Sequence, residues 1–388
     1  MVAPSEGGGV ANVVGPEQEA QRRPVLLGRA RERTAIEALL GDARQGASGA
    51  LILSGPAGIG KSSLICFALA TASDFRAVQV AGVESEMAFG FAGVHQLVLP
   101  LLGAVDALPG PQRLALQTVL GTVHDDPPDL YLVALAVLTL LSEAAATVPV
   151  LVVVDDAQWL DDESLTVLSF VARRLRDDRV ALVVAIRATP TSRPCFEGVP
   201  HLDVSGLADA ESLQLLTSAV GADIDPDVAD RLVAATEGNP LALAELPGAL
   251  TADQLQGAAP LPNPLPIGPR LASVFDARLN QLDDDGRNLL LLASAERVGD
   301  PGLLQRAASG LLRTRWQDAA EAAEATGLVA LAPRVEFRHP LVRSAIYYAA
   351  TPAQRRAAHA ALAGALDGDG DGDRRAWHLG AAAAEPDE

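Results

Sequence analysis

Eight residues, Gly55 to Ser62, read G-P-A-G-I-G-K-S and match the pattern G-x-x-x-x-G-K-[ST] at every fixed position. Glycines at 55, 58 and 60 let a turn aim successive backbone N–H groups inward. The helix start after them adds partial positive charge, so the stretch is built to cradle phosphate. Pro56, Ala57 and Ile59 complete the turn, and Ser63 carries it into the helix. Lys61 is placed to reach β- and γ-phosphates, and the Ser62 hydroxyl to hold Mg2+. The chain contains 30 lysines and arginines, and Lys61 is the only lysine. A compact ammonium suits such a pocket better than a planar guanidinium.

A second set lies at Asp155 and Asp156, which close the apolar run Leu151–Val154. An acidic pair at the end of a buried strand has the form of a Walker B motif. Asp155 is the expected metal ligand and Asp156 the group that orients or deprotonates a water. Arg187 ends the apolar run of residues 180–186. It is either a sensor of the γ-phosphate or a strand cap paired with a surface carboxylate.

These residues need a scaffold. Leu51–Leu53, Ala77–Val80, Pro149–Val154 and Val180–Ile186 read as strands, the apolar ones as buried parallel strands. Residues 30–40, 64–70, 89–102, 130–146 and 163–175 read as helices. The alternation predicts an α/β fold with a P-loop NTPase parallel sheet. From Leu207 to about Leu250 the periodicity is helical. Residues 258–269 hold five prolines in twelve positions and form the clearest linker. Short helices come next, with a hairpin signal at Leu328–Leu331 and Val335–Phe337, which together suggest a winged helix. The expected domains are a disordered N-terminus (1–23), the NTPase domain (24–203), a helical lid (204–257), the linker (258–269), an α-rich winged-helix domain (270–350) and the start of a helical, TPR-like region (351–388).

Composition sets outer limits. The net charge of −19 argues against a broad basic face for nucleic acid. Cys66 and Cys195 supply no metal or disulfide framework, and the first 20 residues carry no secretory pattern, so a cytoplasmic protein is expected. The longest apolar run, residues 130–141, cannot span a bilayer, and no membrane partner is expected. Gly238-Asn239-Pro240 reads as a helix stop and then a helix start, and His339 opens a helix after the hairpin. Asp367–Gly372 imitates the start of a calcium loop but has His378 where a glutamate belongs, so a solvated loop is expected.

The chain resembles the ATPase portion of the large ATP-binding LuxR-type transcriptional regulators, a STAND class of signalling NTPases. Besides the P-loop, the resemblance rests on L-L-G-R (26–29), F-A-G-V-H-Q-L (91–97) and V-D-D-A-Q-W-L-D (154–161). E-G-N-P-L-A-L (237–243), F-R-H-P-L-V-R-S-A (337–345) and R-R-A-W-H-L (374–379) complete it. It implies ATP/ADP and Mg2+ as ligands, Leu27, Gly28 and Arg29 near the adenine, and Arg187 as a sensor. It also implies Pro240 against the base and His339 on the β-phosphate of ADP. A slow hydrolytic switch that self-associates in its ATP state, under an unknown effector, is the implied activity. The family ends in a DNA-binding helix-turn-helix that these 388 residues lack, so direct DNA binding by this chain is not expected. Two other readings are an AAA+-type, origin-recognition-like ATPase with an arginine finger from Arg173, Arg174 or Arg176, and a winged-helix DNA module using Arg306, Arg313 and Arg315.

Overall fold

A computed structural model of the chain describes residues 26–122, 129–187, 194–366 and 371–383. The expected disordered N-terminus and residues 367–370 of the calcium-like loop lie outside these. The chain divides into two compact units: Met1–Pro56 with Gly60–Ser205, and Ala57–Ile59 with Gly206–Glu388.

The first unit is built on five parallel strands: β1 (Gly49–Gly55), β2 (Arg76–Ala81), β3 (Val150–Asp155), β4 (Val180–Arg187) and β5 (His201–Asp203), in the order β2-β3-β4-β1-β5. The sheet is that of a P-loop NTPase, as the sequence predicts. Its central strands are apolar throughout because helices cover both faces; Val150–Val154 and Val180–Ile186 are buried without interruption. Helices α1 (Ala30–Arg44), α2 (Lys61–Thr71), α3 (Ala92–Val98), α4 (Gly110–Val119), α5 (Leu130–Ala145) and α6 (Asp162–Arg174) surround it. The register of the strands decides where the polar residues end up. Gly55 pairs with Arg187 across β1 and β4, and Ala81 pairs with Asp155 across β2 and β3. The strand ends that carry chemistry therefore share the carboxyl edge of the sheet, where open α/β sheets bind ligands.

One expected helix is different. Residues 89–102 do not form a single buried helix: α3 covers Ala92–Val98 and a 3-10 segment runs from Leu99 to Ala107. Phe91 has φ 64°, which blocks an earlier start, and Pro100 lacks the N–H that a continuing α-helix needs. Leu99 and Leu102 remain 46% exposed. Helix α4 and the three-residue β5 are additions to the elements that the sequence predicts.

The second unit is helical: α7 (Asp209–Val220), α8 (Pro226–Thr236), α9 (Pro240–Glu245), α10 (Ala252–Leu255), α11 (Pro269–Asn280), α12 (Asp284–Ala295), α13 (Pro301–Ala308), α14 (Trp316–Ala325), α15 (Pro340–Ala349), α16 (Pro352–Ala365) and α17 (Gly372–Ala382). A short antiparallel hairpin, β6 (Val329–Ala330) with β7 (Glu336–Phe337), sits between α14 and α15. Leu289–Leu292 of α12, Leu303 and Leu304 of α13 and Leu362 of α16 centre its core. Among the described residues no helix is long and apolar enough to cross a membrane.

Candidate nucleotide site

The loop between β1 and α2 turns on two glycines in the left-handed region, Gly58 (φ 73°) and Gly60 (φ 101°). Gly60 is the residue before the first turn of α2, so the free N–H groups of that helix face the loop. Lys61 is only 6% exposed. Its ammonium donates to the carbonyls of Gly55 at 2.9 Å and Pro56 at 2.8 Å. Burial pulls its pKa down to about 8, with Arg187 adding repulsion and Asp156 and Asp155 opposing.

Asp155 accepts a hydrogen bond from the Ser62 side chain and another, at 2.9 Å, from the backbone N–H of Asp156. Its pKa is nonetheless raised, first by burial. An incompletely compensated carboxylate beside a hydroxyl is a hard-oxygen pair of the kind Mg2+ accepts with waters completing its shell. Asp156 itself is left-handed (φ 47°, ψ 44°), a strained conformation for a residue with a Cβ. The strain is held from two sides. The Gln158 side-chain amide donates to Asp156 Oδ1 at 2.6 Å, and its carbonyl oxygen accepts the Arg187 N–H at 2.9 Å. A Cβ on Gly82 would run into the Asp156 carbonyl and Trp159, so only glycine lets β2 end here. The Arg187 guanidinium lies over the Trp159 ring, 5.4 Å from its centroid.

Thus Gly55, Lys61, Ser62, Asp155, Asp156 and Arg187 are brought together in the first unit. Ser63, like Ser62, is exposed at the start of α2. Arg29 is buried, and its guanidinium donates to the Ser205 carbonyl at 2.7 Å and to Glu32 at 3.4 Å. Its side chain is committed to the frame, beside Leu27 and the left-handed Gly28 (φ 62°). Arg173 donates to Ser169 at 2.6 Å, and Arg174 stacks 3.7 Å over Phe170.

The motifs at 91–97 and 154–161 prove to be one structural joint. Asp161, 2% exposed, accepts from the N–H groups of Phe91 (2.7 Å), Gly93 (3.1 Å) and Ser164 (2.9 Å), and Ser164 Oγ accepts from Val94 N–H at 2.9 Å. One carboxylate caps α6 and fixes the start of α3. Gln158, Asp161 and Gly82 do not stand out in the sequence as individual residues. The only signal for the first two is their place in the motif after Asp155.

In the second unit, Asn239 caps α9 by accepting from the N–H groups of Leu241 (3.1 Å) and Ala242 (3.2 Å), and it donates to the Ala57 carbonyl at 2.9 Å. Leu241 N–H donates to the Gly58 carbonyl at 3.2 Å. A Cβ on Gly58 would meet Leu241 at 2.8 Å. Ile59 is buried, and Pro240 opens α9. His339 Nδ1 accepts from Leu341 N–H at 3.1 Å, which leaves its proton on Nε2, 3.3 Å from Glu237. Burial lowers the His339 pKa and Glu237 opposes that shift.

Residues 25–184 match the model of the AAA ATPase domain. That stretch is an AAA-type P-loop ATPase domain. No curated protein matches the chain. Among solved structures, the chain is similar to a signal transduction ATPase with numerous domains (STAND), with a tetratricopeptide repeat sensor, from Pyrococcus horikoshii. The identity is 19% and the TM-score 0.39, over 88% of this chain and 45% of that one. The chain thus spans less than half of that protein's length. It is also similar to a mutant RuvB from Thermotoga maritima (15% identity, TM-score 0.38, 81% and 95% covered). A DNA replication initiation factor is similar at 11% identity and TM-score 0.36, with 92% and 88% covered. All three likenesses are loose.

Proposed function

We propose that the chain is an ATP/ADP-operated switch of the LuxR-type regulator class, binding Mg2+ nucleotide at the P-loop and hydrolysing ATP slowly to reset itself. The observation that carries this reading is the meeting, at one sheet edge, of a buried lone ammonium, a hydroxyl and two carboxylates beside a glycine turn. Lys61 would leave the Gly55 and Pro56 carbonyls for the β- and γ-phosphate oxygens. Ser62 and Asp155 would hold Mg2+, which supplies charge neutralisation on the phosphates. Asp156, fixed by Gln158, would orient the attacking water, and Arg187 would read the γ-phosphate.

The sequence resemblance gives Leu27, Gly28 and Arg29 to the adenine end. For Arg29, whose guanidinium is already bonded, that role would fall to the backbone. The resemblance gives Pro240 to the base and His339 to ADP, and the Nε2–H of His339 is a donor of the kind a β-phosphate oxygen accepts. The segment 270–350 is read as a winged helix on the strength of its helices and hairpin. Nucleotide moves such a switch only by its differential affinity for the two forms. Self-association in the ATP state and an unidentified effector belong to the same proposal. The test is to denature freshly purified protein and identify the released nucleotide by chromatography. Near-stoichiometric ADP supports a latched switch. An empty site with fast, concentration-dependent ATP turnover contradicts slow switching.

A further inference from the structure

Residues 57–59, the middle of the P-loop, belong to the second compact unit, and Asn239 of that unit is bonded to them. We propose that Asn239 is a positioning residue for phosphate binding: its side-chain amide pins the Ala57 carbonyl and so aims the backbone N–H groups of the loop at the phosphates. This role deepens the nucleotide reading above and rests on it.

Asn239 is only 4% exposed. Its Oδ1 accepts from the N–H groups of Leu241 at 3.1 Å and Ala242 at 3.2 Å, which leaves Nδ2 to donate to the Ala57 carbonyl at 2.9 Å. The two N–H donors fix which way round the amide sits. Capping α9 needs only the oxygen, and aspartate, serine or threonine would supply it. The NH2 group is surplus to a cap, and here it goes to the loop. The next carbonyl, that of Gly58, is taken by the Leu241 N–H at 3.2 Å. Both peptides are trans, and a planar trans peptide has its C=O and N–H on opposite sides. Drawing the Ala57 and Gly58 carbonyls toward α9 therefore turns the N–H groups of Gly58 and Ile59 away from it. Successive N–H groups turned to one side are what an anion-binding turn needs.

The anchor is itself fixed. Asn239 follows two left-handed residues, Glu237 (φ 48°) and Gly238 (φ 69°). The Leu207 N–H donates to the Gly238 carbonyl at 2.8 Å, and a Cβ on Gly238 would strike the Leu207 carbonyl. The contact with the loop is equally close: a Cβ on Gly58 would meet Leu241 at 2.8 Å and Asn239 Oδ1 at 2.9 Å. The two loop carbonyls before these, of Gly55 and Pro56, are held by Lys61. Those bonds would be given up when the ammonium turns to phosphate, and the two from the start of α9 would keep the loop in shape.

The test uses the whole chain, stripped of nucleotide. Asn239→Ser and Asn239→Asp both keep an oxygen that can cap α9, and both lose the amide that reaches Ala57. Lys61 is the only lysine, so an endoproteinase that cuts after lysine has one target, the Lys61–Ser62 bond. Lys61 is buried, so cutting there under native conditions reports local opening of the loop. Both variants should be nicked about five-fold faster or more than wild type, and a cooperative melt certifies the fold of each. Titration with Mg-ADP should show Kd raised about five-fold or more in Asn239→Ser, the neutral variant. Unchanged nicking in both variants overturns the clamp whether or not nucleotide binds. Faster nicking with unchanged Mg-ADP affinity overturns the positioning role. No Mg-ADP binding to the wild type contradicts the nucleotide reading itself, and the phosphate role falls with it.

Discussion

Replacing Lys61 by methionine should make the nucleotide-free protein more stable while it abolishes nucleotide binding. The buried ammonium is held at a cost: moving its pKa from 10.5 to about 8 is worth roughly 3 kcal/mol against the charged form. Methionine keeps the length and loses the charge. Against that gain stand two hydrogen bonds to the carbonyls of Gly55 and Pro56, worth about 1 kcal/mol each in net terms. The expected balance is therefore a gain of about 1 kcal/mol, or about 2–4 °C in the melting temperature of the unit carrying the P-loop. The pH dependence is more telling. The folded-state pKa lies below the unfolded one, so the unfolded chain binds more protons between pH 8 and 10.5, and stability must rise with pH across that window. Lys61 is the only lysine in the chain, and the comparison with Lys61→Met separates its titration from that of every other group in the window. Tyr347 and Tyr348, whose pKa values burial raises, act in the opposite direction only near pH 10 and above. Differential scanning calorimetry of nucleotide-stripped wild type and Lys61→Met from about pH 7 to 9.5 reads both effects. A variant that melts several degrees lower at neutral pH, or a wild type with no alkaline gain, would refute the claim that this ammonium is held under electrostatic cost.

Other outcomes rest on the same contacts. Asp161→Ala strips partners from the N–H groups of Phe91, Gly93 and Ser164 and should cost about 3 kcal/mol or more in chemical denaturation; Asp161→Asn should recover only part of it. Gly82→Ala drives a Cβ into the Asp156 backbone and should weaken Mg-nucleotide affinity as well as lower the melting temperature. Gln158→Ala frees Asp156 and Arg187 together; kcat for ATP should fall about ten-fold or more, with nucleotide Kd little changed. In the second unit, His359 and His378 are buried against each other, Nδ1 to Nδ1 at 2.9 Å, and burial takes both pKa values to about 4. The unfolded chain protonates them near 6.5, so stability should fall as pH drops from 6.5 toward 4, and His359→Phe should flatten that loss in acid-unfolding curves.

Much of the site was legible because its parts are local. The P-loop is eight consecutive residues, and β3 and β4 are unbroken apolar runs ending in Asp155-Asp156 and Arg187. What escaped reading depends on partners distant in sequence. Gly82 looks like any loop glycine until Ala81 is paired with Asp155. Asp161 is marked only by its place in the motif after Asp155, while its bonds to residues 91 and 93 belong to tertiary structure. Strand β5 has three residues, only Leu202 of them buried, and its polar ends hide it. The expected single helix over residues 89–102 fails because apolar content does not guarantee continuity where Phe91 and Pro100 interrupt the backbone.

The measurement closest to the central claim is isothermal titration of nucleotide-stripped chain with Mg-ATP and Mg-ADP, beside Lys61→Ala. One-to-one binding of both nucleotides to the wild type, weakened about a hundred-fold or more in the variant, is the predicted result. Equal affinity in wild type and variant, or no binding to the wild type, would contradict the assignment of this loop as the nucleotide site.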